Sequence, residues 1–269
     1  MTATRLGVVT DVHLVFEGTT CTGSRVGDPE GWDLAGTHKR LLAAVALLEQ
    51  QDLVGIVGLG DFAHHGDSET IDHVLAQLGR LPGGLWATAG NHDVAFRPDA
   101  VSLALQRSGR AEEPLANGHR LTVLEIESAD WIMRCRARSI PAFAASDDGL
   151  DVLLSHFPLL GPPGRDPEPV EHLVDNDSLH GALAGRPRPT VVLSGHLHFR
   201  AARAQGPLLQ LIFPALVELP AHCSVLELDE HDGRHQIRRT VLGLDGVSVA
   251  EDDHWEYDGT SWIDLGASA

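Results

Sequence analysis

Short apolar runs alternate with amphipathic segments in the first part of the chain. Residues 6–10 and 53–59 are largely apolar and of strand length, as expected for strands buried in a parallel sheet. Between them, an apolar surface from Thr37 to about Gln50 predicts a helix, and Thr37 is suited to cap it. These three segments predict a strand–helix–strand unit.

A second unit follows in the same order. Ser68 is suited to cap a helix, and residues 85–89 supply the next buried strand. The helix carries an apolar stripe at the spacing i, i+3, i+4 and i+7, formed by Ile71, Val74, Leu75 and Leu78. Residues 98–107 are expected to form a third helix, because they begin with a proline and a glycine follows their end.

Strands dominate the rest of the chain. Alternating positions and short apolar runs predict them over residues 119–127, 131–139, 152–155, 190–194, 208–213, 223–229 and 236–242. A short helix is expected at 177–184, and Asp232-Gly233 predicts a hairpin turn between the last two strands. Repeated strand–helix units followed by strands predict the α/β class, arranged as a layered sandwich.

The chain is expected to have one main domain and a short extension. Residues 1–245 contain the predicted strand and helix units, whereas residues 246–269 are acidic and contain Trp255, Tyr257 and Trp262. We expect this C-terminal extension to be either a docked tail or a partner contact, rather than part of the main core.

Composition narrows the class of function. With 269 residues and 43% hydrophobic positions the chain can bury a core, and 38 acidic against 20 basic side chains give a net charge of −18. This charge disfavours nucleic acid and anionic membranes as partners and favours small molecules. The three cysteines form no paired motif and no signal peptide is recognisable, so we expect a cytoplasmic protein.

Polar residues follow five of the predicted strands where each strand ends, and ligands of open α/β sheets gather at such ends. They are Asp11 and His13, Asp61, Asn91 and His92, His156, and His196 and His198. Residues two apart in an extended chain point to the same side, so Asp-x-His and His-x-His can share one ion. Carboxylate, imidazole and amide groups without thiolate suit Mn, Fe, Zn or Co. So many candidate ligands favour two ions that share a bridging carboxylate.

Taken in order, the motifs Asp-x-His, Gly-Asp, Gly-Asn-His-Asp, a lone histidine and Gly-His-Leu-His resemble the calcineurin-like metallophosphoesterase superfamily over about residues 6–199. The resemblance implies two mixed β-sheets flanked by helices. It also implies one metal held by Asp11, His13, Asp61 and His198, and a second held by Asp61, Asn91, His156 and His196. Asp61 would then bridge the two ions, a bridging hydroxide would attack phosphorus, and His92 would assist the leaving group.

The substrate side of the site is less constrained by the sequence. Arg97 could clamp a phosphate, His222 could line the pocket, and Arg25 lies on a long loop over residues 14–36 that could form a lid or rim. His64 and His65 are expected to be surface loop residues rather than ligands. A homo-oligomer is compatible with the sequence.

The leading hypothesis is a hydrolase of small phosphoesters. Parts of the sequence are similar to bacterial phosphodiesterases that act on cyclic nucleotides or glycerophosphodiesters. A phosphomonoesterase is the alternative enzyme. A scaffold without catalytic activity is the alternative from another class, and the intact ligand set disfavours it.

Overall fold

Two mixed β-sheets carry the fold. The computed structural model describes residues 3–16, 32–96, 112–115, 118–130, 134–137, 149–161, 173–174, 176–184, 186, 188–244 and 251–266. Their strands are, in chain order, β1 (Thr4–Val9), β2 (Gly55–Gly58), β3 (Gly84–Ala87), β4 (Glu112–Pro114), β5 (Arg120–Val123), β6 (Ile126–Asp130), β7 (Arg134–Ala137), β8 (Asp151–Leu154), β9 (Thr190–Ser194), β10 (Ala201–Gln205), β11 (Leu208–Ile212), β12 (His222–His231), β13 (Arg234–Gly243), β14 (Glu251–Tyr257) and β15 (Trp262–Asp264). The helices are α1 (Thr37–Leu48), α2 (Ser68–Leu78), α3 (Asn91–Phe96) and α4 (Asn176–Ala184), and a 3-10 turn spans Leu34–Gly36.

The strands form two large sheets and a separate hairpin. The first sheet has the order β15-β14-β13-β12-β1-β2-β3, and the second has the order β10-β11-β9-β8-β5-β4. Strands β1, β2 and β3 are mutually parallel, as are β5, β8, β9 and β11. Strands β6 and β7 form a separate two-stranded sheet. The predicted α/β sandwich of two mixed sheets is confirmed.

Three apolar clusters fill the layers. One lies between the sheets and takes Leu6 and Val8 from β1 and Val191 from β9. A second packs α1 and α2 on the outer face of the first sheet, and a third packs α4 on the outer face of the second sheet. Burying both faces of each sheet explains why the central strands appear in the sequence as continuous apolar runs.

The C-terminal segment continues the first sheet. Strand β13 pairs with β14, and β14 pairs with β15. Trp255, Tyr257 and Trp262 are buried in the cluster between the sheets. The sequence leads us to expect this segment outside the main core, but its strands extend the sheet and its aromatic rings complete the core. The sequence does not reveal this role, because the alternation of apolar and polar residues is short and lies within an acidic stretch.

The element boundaries differ from expectation in small ways. Thr37 is the first residue of α1 rather than its cap, and its hydroxyl donates to the Leu34 carbonyl. Asp67, not Ser68, caps α2 by accepting from the Thr70 amide. The expected third helix at 98–107 lies outside the described residues, whereas α3 begins earlier, at Asn91. No helix among the described residues combines the length and apolar character needed to span a membrane.

Candidate metal centre

The carboxyl ends of five strands meet at one edge of the sandwich. Strands β1, β2 and β3 deliver residues from the first sheet, and β8 and β9 deliver residues from the second. All of the polar residues that the sequence places at these ends come together here: Asp11, His13, Asp61, Asn91, His92, His156, His196 and His198. The topology therefore gathers side chains that are up to 187 positions apart in the sequence.

Asp61 lies between the two predicted ligand groups. Its Oδ2 is 3.5 Å from His13 Nε2 and 3.4 Å from His156 Nε2. Its Oδ1 accepts a hydrogen bond of 2.9 Å from the His92 amide. His156 Nε2 in turn lies 3.1 Å from Asn91 Oδ1. One carboxylate thus contacts a member of each group.

Asp11 joins the two sheets at the site. Its Oδ1 is 3.3 Å from His198 Nε2, and its Oδ2 accepts from the Thr10 hydroxyl at 2.6 Å. The His196 amide also donates to Oδ2, at 3.0 Å. The ends of β1 and β9 are therefore held together through a single buried carboxylate.

Two of the histidines are oriented by their other ring nitrogen. His156 Nδ1 lies 2.7 Å from the Leu59 carbonyl, and His198 Nδ1 lies 2.9 Å from Glu218 Oε1. In both rings Nε2 points toward the carboxylates, which is the support that metal-ligating histidines usually have. Glu218 also accepts from Trp32 Nε1 at 3.1 Å. Sequence reasoning missed Glu218, because it stands in a loop and belongs to no motif.

The charge balance of the cluster favours a bound cation. Burial lowers the pKa of His156, but the nearby Asp61 carboxylate raises it by more than burial lowers it. The resulting pKa is about 9. Burial also lowers the pKa of His198, but the carboxylates of Asp11 and Glu218 raise it by more, to about 10. Protons are drawn to these rings because the neighbouring carboxylates stabilise the charged imidazole. Metal ions would supply the same positive charge.

His13 provides the sharpest test of whether the residues fit a metal. Its ring is fully buried, and neither ring nitrogen has a hydrogen-bond partner among the described residues. Burial is the largest cause that holds the pKa of His13 well below its ordinary value, so the ring is neutral. A neutral, buried imidazole without a hydrogen bond costs free energy unless it binds a ligand. Coordination of an ion by His13 would remove this cost, so the residues fit a metal centre.

The backbone is bent at the ligand positions rather than extended. Asp11, His13, Asp61, His196 and His198 have φ between 45° and 67°, and Asp232 in the hairpin turn is the sole other non-glycine residue with positive φ in the described segments. The expected reason for the Asp-x-His and His-x-His spacings, alternation along an extended chain, is therefore wrong. The left-handed region is costly for most residues and accumulates at functional sites.

Two glycines let the strand ends approach closely. A Cβ at Gly90 would overlap the Asp61 carboxylate, and a Cβ at Gly195 would overlap the Thr10 hydroxyl and the Asp11 carboxylate. Only glycine, which has no Cβ, allows the backbone to approach so closely at these two positions.

His92 and His64 form a pair of rings beside Asp61. His92 Nδ1 lies 2.9 Å from the His64 carbonyl, and the two rings stack with centroids 5.3 Å apart. The expectation that His64 is a surface residue is wrong, because it is 1% exposed and also contacts the edge of the His13 ring. His65 is half-buried and follows it in the turn. Nothing in the local sequence distinguishes the buried histidine from its neighbour.

A cavity of about 320 Å³ opens over the cluster. Trp32 lines it together with His92, Asp61 and Asn91, and the Trp32 ring lies 4.5 Å from that of His13. Of the predicted substrate residues, Arg25 and Arg97 lie outside the described residues. His222 lines an adjoining cavity. The arrangement places two groups of metal-binding side chains and one further imidazole, His92, around a space large enough for a small phosphorylated molecule.

Comparison with known proteins identifies the class. A family model described as calcineurin-like phosphoesterase matches residues 4–200. The chain therefore belongs to the calcineurin-like phosphoesterase family, and the resemblance seen in its motifs is confirmed. No curated protein matches the chain significantly in sequence.

A solved structure with a TM-score above 0.5 shows the same fold, and other solved structures match with lower scores. A dimetal phosphatase from Danio rerio matches with a TM-score of 0.68 at 14% identity, over 93% of this chain and 98% of that one. A phosphopantetheinyl hydrolase from Mycobacterium tuberculosis matches at 12% identity with a TM-score of 0.46, over 79% and 90% of the two chains. Vps29 from Chaetomium thermophilum matches at 12% identity with a TM-score of 0.42, over 97% of each chain.

Proposed function

We propose that the protein is a dinuclear metal-dependent hydrolase that cleaves a phosphoester bond in a small molecule, with phosphodiesters preferred to monoesters. The observation that carries the proposal is the buried, hydrogen-bond-deficient His13 ring beside a pair of buried carboxylates. In a scaffold without metal, the buried His13 ring would cost free energy, because no ligand would replace its missing hydrogen bonds.

The proposed ligand sets are those that the family resemblance implies, and the contacts of Asp61 with His13 and His156 and of Asp11 with His198 support part of them. One ion is assigned to Asp11, His13, Asp61 and His198, and the other to Asp61, Asn91, His156 and His196, so that Asp61 belongs to both. The donors are oxygen and imidazole nitrogen, which suit Mn, Fe, Zn or Co. When bound, such ions lower the pKa of water and neutralise charge on phosphoryl oxygens.

His92 is the proposed proton donor to the leaving oxygen. The His64 carbonyl accepts from Nδ1–H, so the proton given to the leaving oxygen has to be carried on Nε2, by the doubly protonated ring, which keeps its Nδ1 proton. The His92 amide donates to Asp61, so the main chain at the start of α3 holds the ring at a constant distance from the carboxylate. A donor placed in this way lowers the barrier for leaving groups that need a proton.

The charge of the chain supports small substrates. With a formal net charge of −18, the chain repels a long polyanion, whereas the metal centre would attract a single phosphoryl group. The similarity of the motifs to bacterial phosphodiesterases supports the preference for diesters. A phosphomonoesterase remains the alternative, and the same site chemistry serves both reactions.

Turnover by the metal-reconstituted protein tests the proposal. Protein loaded separately with Mn, Fe, Zn or Co is assayed with small diesters, the matching monoesters and long DNA and RNA. We expect turnover of small diesters at a higher kcat/KM than monoesters, and the loss of this turnover in Asp61→Asn. Faster cleavage of monoesters would select the alternative, and faster cleavage of long nucleic acid would contradict the proposal. No turnover of any substrate would favour the scaffold.

A further inference from the structure

Arg40 is a buried cation on α1 that joins two distant segments of the chain. It is 6% exposed. Its Nε donates to the Leu216 carbonyl at 2.8 Å, and its Nη2 donates to the Val217 carbonyl at 3.3 Å. Its Nη1 pairs with the Asp33 carboxylate at 2.6 Å, and Nη2 also donates to the Asp33 carbonyl. The planar guanidinium therefore spans the segment at position 33 and the segment at 216–217.

The two segments also bind each other. The Asp33 amide donates to the Val217 carbonyl at 3.1 Å, and Trp32 and Glu218 form an antiparallel bridge. The Val217 amide in turn donates to the carbonyl of Asp11, a proposed metal ligand, at 3.1 Å. The paired segments are thus attached to the chain at the metal centre.

Trp32 and Glu218 carry this alignment to two proposed ligands. Glu218 Oε1 lies 2.9 Å from His198 Nδ1 and accepts from Trp32 Nε1 at 3.1 Å. The centroid of the Trp32 ring lies 4.5 Å from that of His13 and 5.0 Å from that of His198. Trp32 and Glu218 are each a direct sequence neighbour of a residue that Arg40 binds.

The contact between Arg40 and Asp33 depends on a glycine. A Cβ at Gly36 would overlap both the Asp33 carboxylate and the Arg40 guanidinium, and the Gly36 amide donates to Asp33 Oδ1 at 3.2 Å. Five donors in a fixed plane allow a guanidinium to reach groups on two segments, whereas the three donors of an ammonium share one atom.

We propose that Arg40 is a positioning residue for the metal centre, which aligns the segments of Trp32 and Glu218 and thereby sets the orientation of the His198 ring. This inference rests on the proposed function, in which His198 is a metal ligand. The hydrogen bonds of Arg40 go to the two segments, so its effect on the centre passes through Glu218.

Arg40→Lys tests this role, because it keeps a positive charge near Asp33 but loses the planar fork. We expect it to weaken binding of the ion assigned to His198 by about ten-fold, since contacts behind a ligand contribute this much to metal affinity. The ion assigned to His156 should keep its affinity within about two-fold, because that ring is contacted by the Leu59 carbonyl on another segment. Competition with a chromophoric chelator measures both affinities.

Arg239→Lys is the matched control. Arg239 is also buried, pairs with the Asp253 carboxylate and donates to the carbonyls of Ala201 and Ile212. Its replacement should lower the free energy of unfolding but change neither metal affinity by more than about two-fold. An equal loss of metal binding in both variants would indicate general destabilisation and would overturn the inference.

A double variant shows whether Arg40 acts through the Glu218 carboxylate. In a Glu218→Ala background, Arg40→Lys should weaken metal binding by less than about two-fold further, because the group to be positioned is absent. A purely structural role predicts the same loss in both backgrounds, and that result would contradict the proposal.

The indole signals in a nuclear magnetic resonance spectrum provide a readout that needs no metal. In metal-free protein with isotope-labelled tryptophan, the signal missing from Trp32→Phe belongs to Trp32. Arg40→Lys should shift this signal, because the hydrogen bond from Trp32 to Glu218 depends on the aligned segments. Arg239→Lys should instead affect Trp255, whose ring centroid lies 5.7 Å from the Arg239 guanidinium. A Trp32 signal that does not move would reject the positioning role.

The outcomes separate the inference from the function on which it rests. A protein that binds no metal would reject the proposed function, and the Trp32 signal alone would then decide whether Arg40 aligns the two segments. Two bound ions whose affinities are unchanged in Arg40→Lys would keep the metal centre and reject the inference. Asp33→Asn is the second variant, since this side chain is 42% exposed and its replacement folds even where Arg40→Lys does not. It should weaken the same ion, and unchanged affinity there would also count against the proposal.

Discussion

Nδ1 of His198 lies 2.9 Å from the Glu218 carboxylate, which also accepts a hydrogen bond from the Trp32 indole. One carboxylate therefore contacts both a proposed metal ligand and an aromatic ring that lines the cavity. On the other side of the centre, the Leu59 carbonyl contacts Nδ1 of His156 in the same way. The ligands are held by contacts that motif analysis does not reveal.

Removing the Glu218 carboxylate should weaken metal binding. We expect Glu218→Ala to lower the affinity for the ion assigned to His198 by about 10- to 100-fold, because such outer contacts fix the ring and raise its basicity. Glu218→Gln should lose less, since the amide oxygen can still accept. Metal competition with a chromophoric chelator measures both. Glu49→Ala, at an exposed position after α1, is the control, and equal affinity in Glu218→Ala would refute the role.

Asp61 and Asp11 should differ in how many ions they hold. Asparagine tolerates positive φ, so Asp61→Asn and Asp11→Asn keep the bent backbone while they weaken the ligand. We expect Asp61→Asn to lose both ions and nearly all activity, and Asp11→Asn to lose mainly one. Elemental analysis after dialysis gives the stoichiometry. Two ions per chain in Asp61→Asn would exclude the bridging assignment.

His92 should matter for the leaving group and not for the metals. We expect His92→Ala to retain both ions but to lose on the order of 10² to 10⁴ in rate, because general acid catalysis typically contributes this much. The loss should be smaller for p-nitrophenolate than for an alkoxide, which needs a proton to depart. Steady-state rates with the two leaving groups measure the difference. Equal losses would leave His92 with an electrostatic role only.

His119 should make stability depend on pH. Burial, and then the charges of His235 and Arg188, lower the pKa of His119 to about 4, and its Nδ1 accepts from the Leu150 amide. Because the unfolded state binds the proton more readily, the stabilisation is complete above pH 6.5 and is lost as pH falls toward 4. The change is on the order of 2 kcal/mol.

Replacing His119 tests the direction of this pH dependence of stability. His119→Asn retains an acceptor but cannot titrate, so its free energy of unfolding should fall less between pH 6.5 and 4 than that of the unsubstituted protein. Urea unfolding at several pH values measures this slope. His231→Asn, at an exposed position, should leave the slope unchanged. An unchanged slope in His119→Asn would show that other groups control the acid transition.

Asp253 should be important for stability. It pairs with Arg239, whose side chain is buried and also donates to the Ile212 carbonyl at 2.6 Å. Asp253→Asn leaves a buried guanidinium without its counter-charge, which costs about 3 kcal/mol. Glu256→Gln breaks a pair with the exposed Arg234 and should change stability much less, because solvent screens that pair. Thermal unfolding compares them, and equal costs would contradict the distinction.

The sequence predicts the central strands well because each is apolar on both faces. Residues 190–194 were expected as a strand and form β9 with the same bounds. It predicts the hairpin because Asp232 and Gly233 are residues that tolerate the positive φ that both adopt there. These signals are local, and local signals can be identified without knowledge of the fold.

What escaped prediction depends on contacts between distant segments. His64 is buried because His13 and His92 arrive from β1 and β3, and nothing near position 64 encodes their approach. Trp255 and Trp262 enter the core only because β14 pairs with β13. Motifs identify the candidate ligands in the sequence, but they do not reveal the positive φ that five of these residues adopt.

The bent backbone at the ligand positions also limits how this centre could change. Aspartate and asparagine adopt positive φ more readily than most residues, so exchange between them is tolerated at positions 11 and 61. A β-branched residue at either position would be strained by the backbone conformation before it could reach an ion. The repertoire of metals open to evolution or to design is therefore narrowed by main-chain conformation, independently of which ions the side chains themselves prefer.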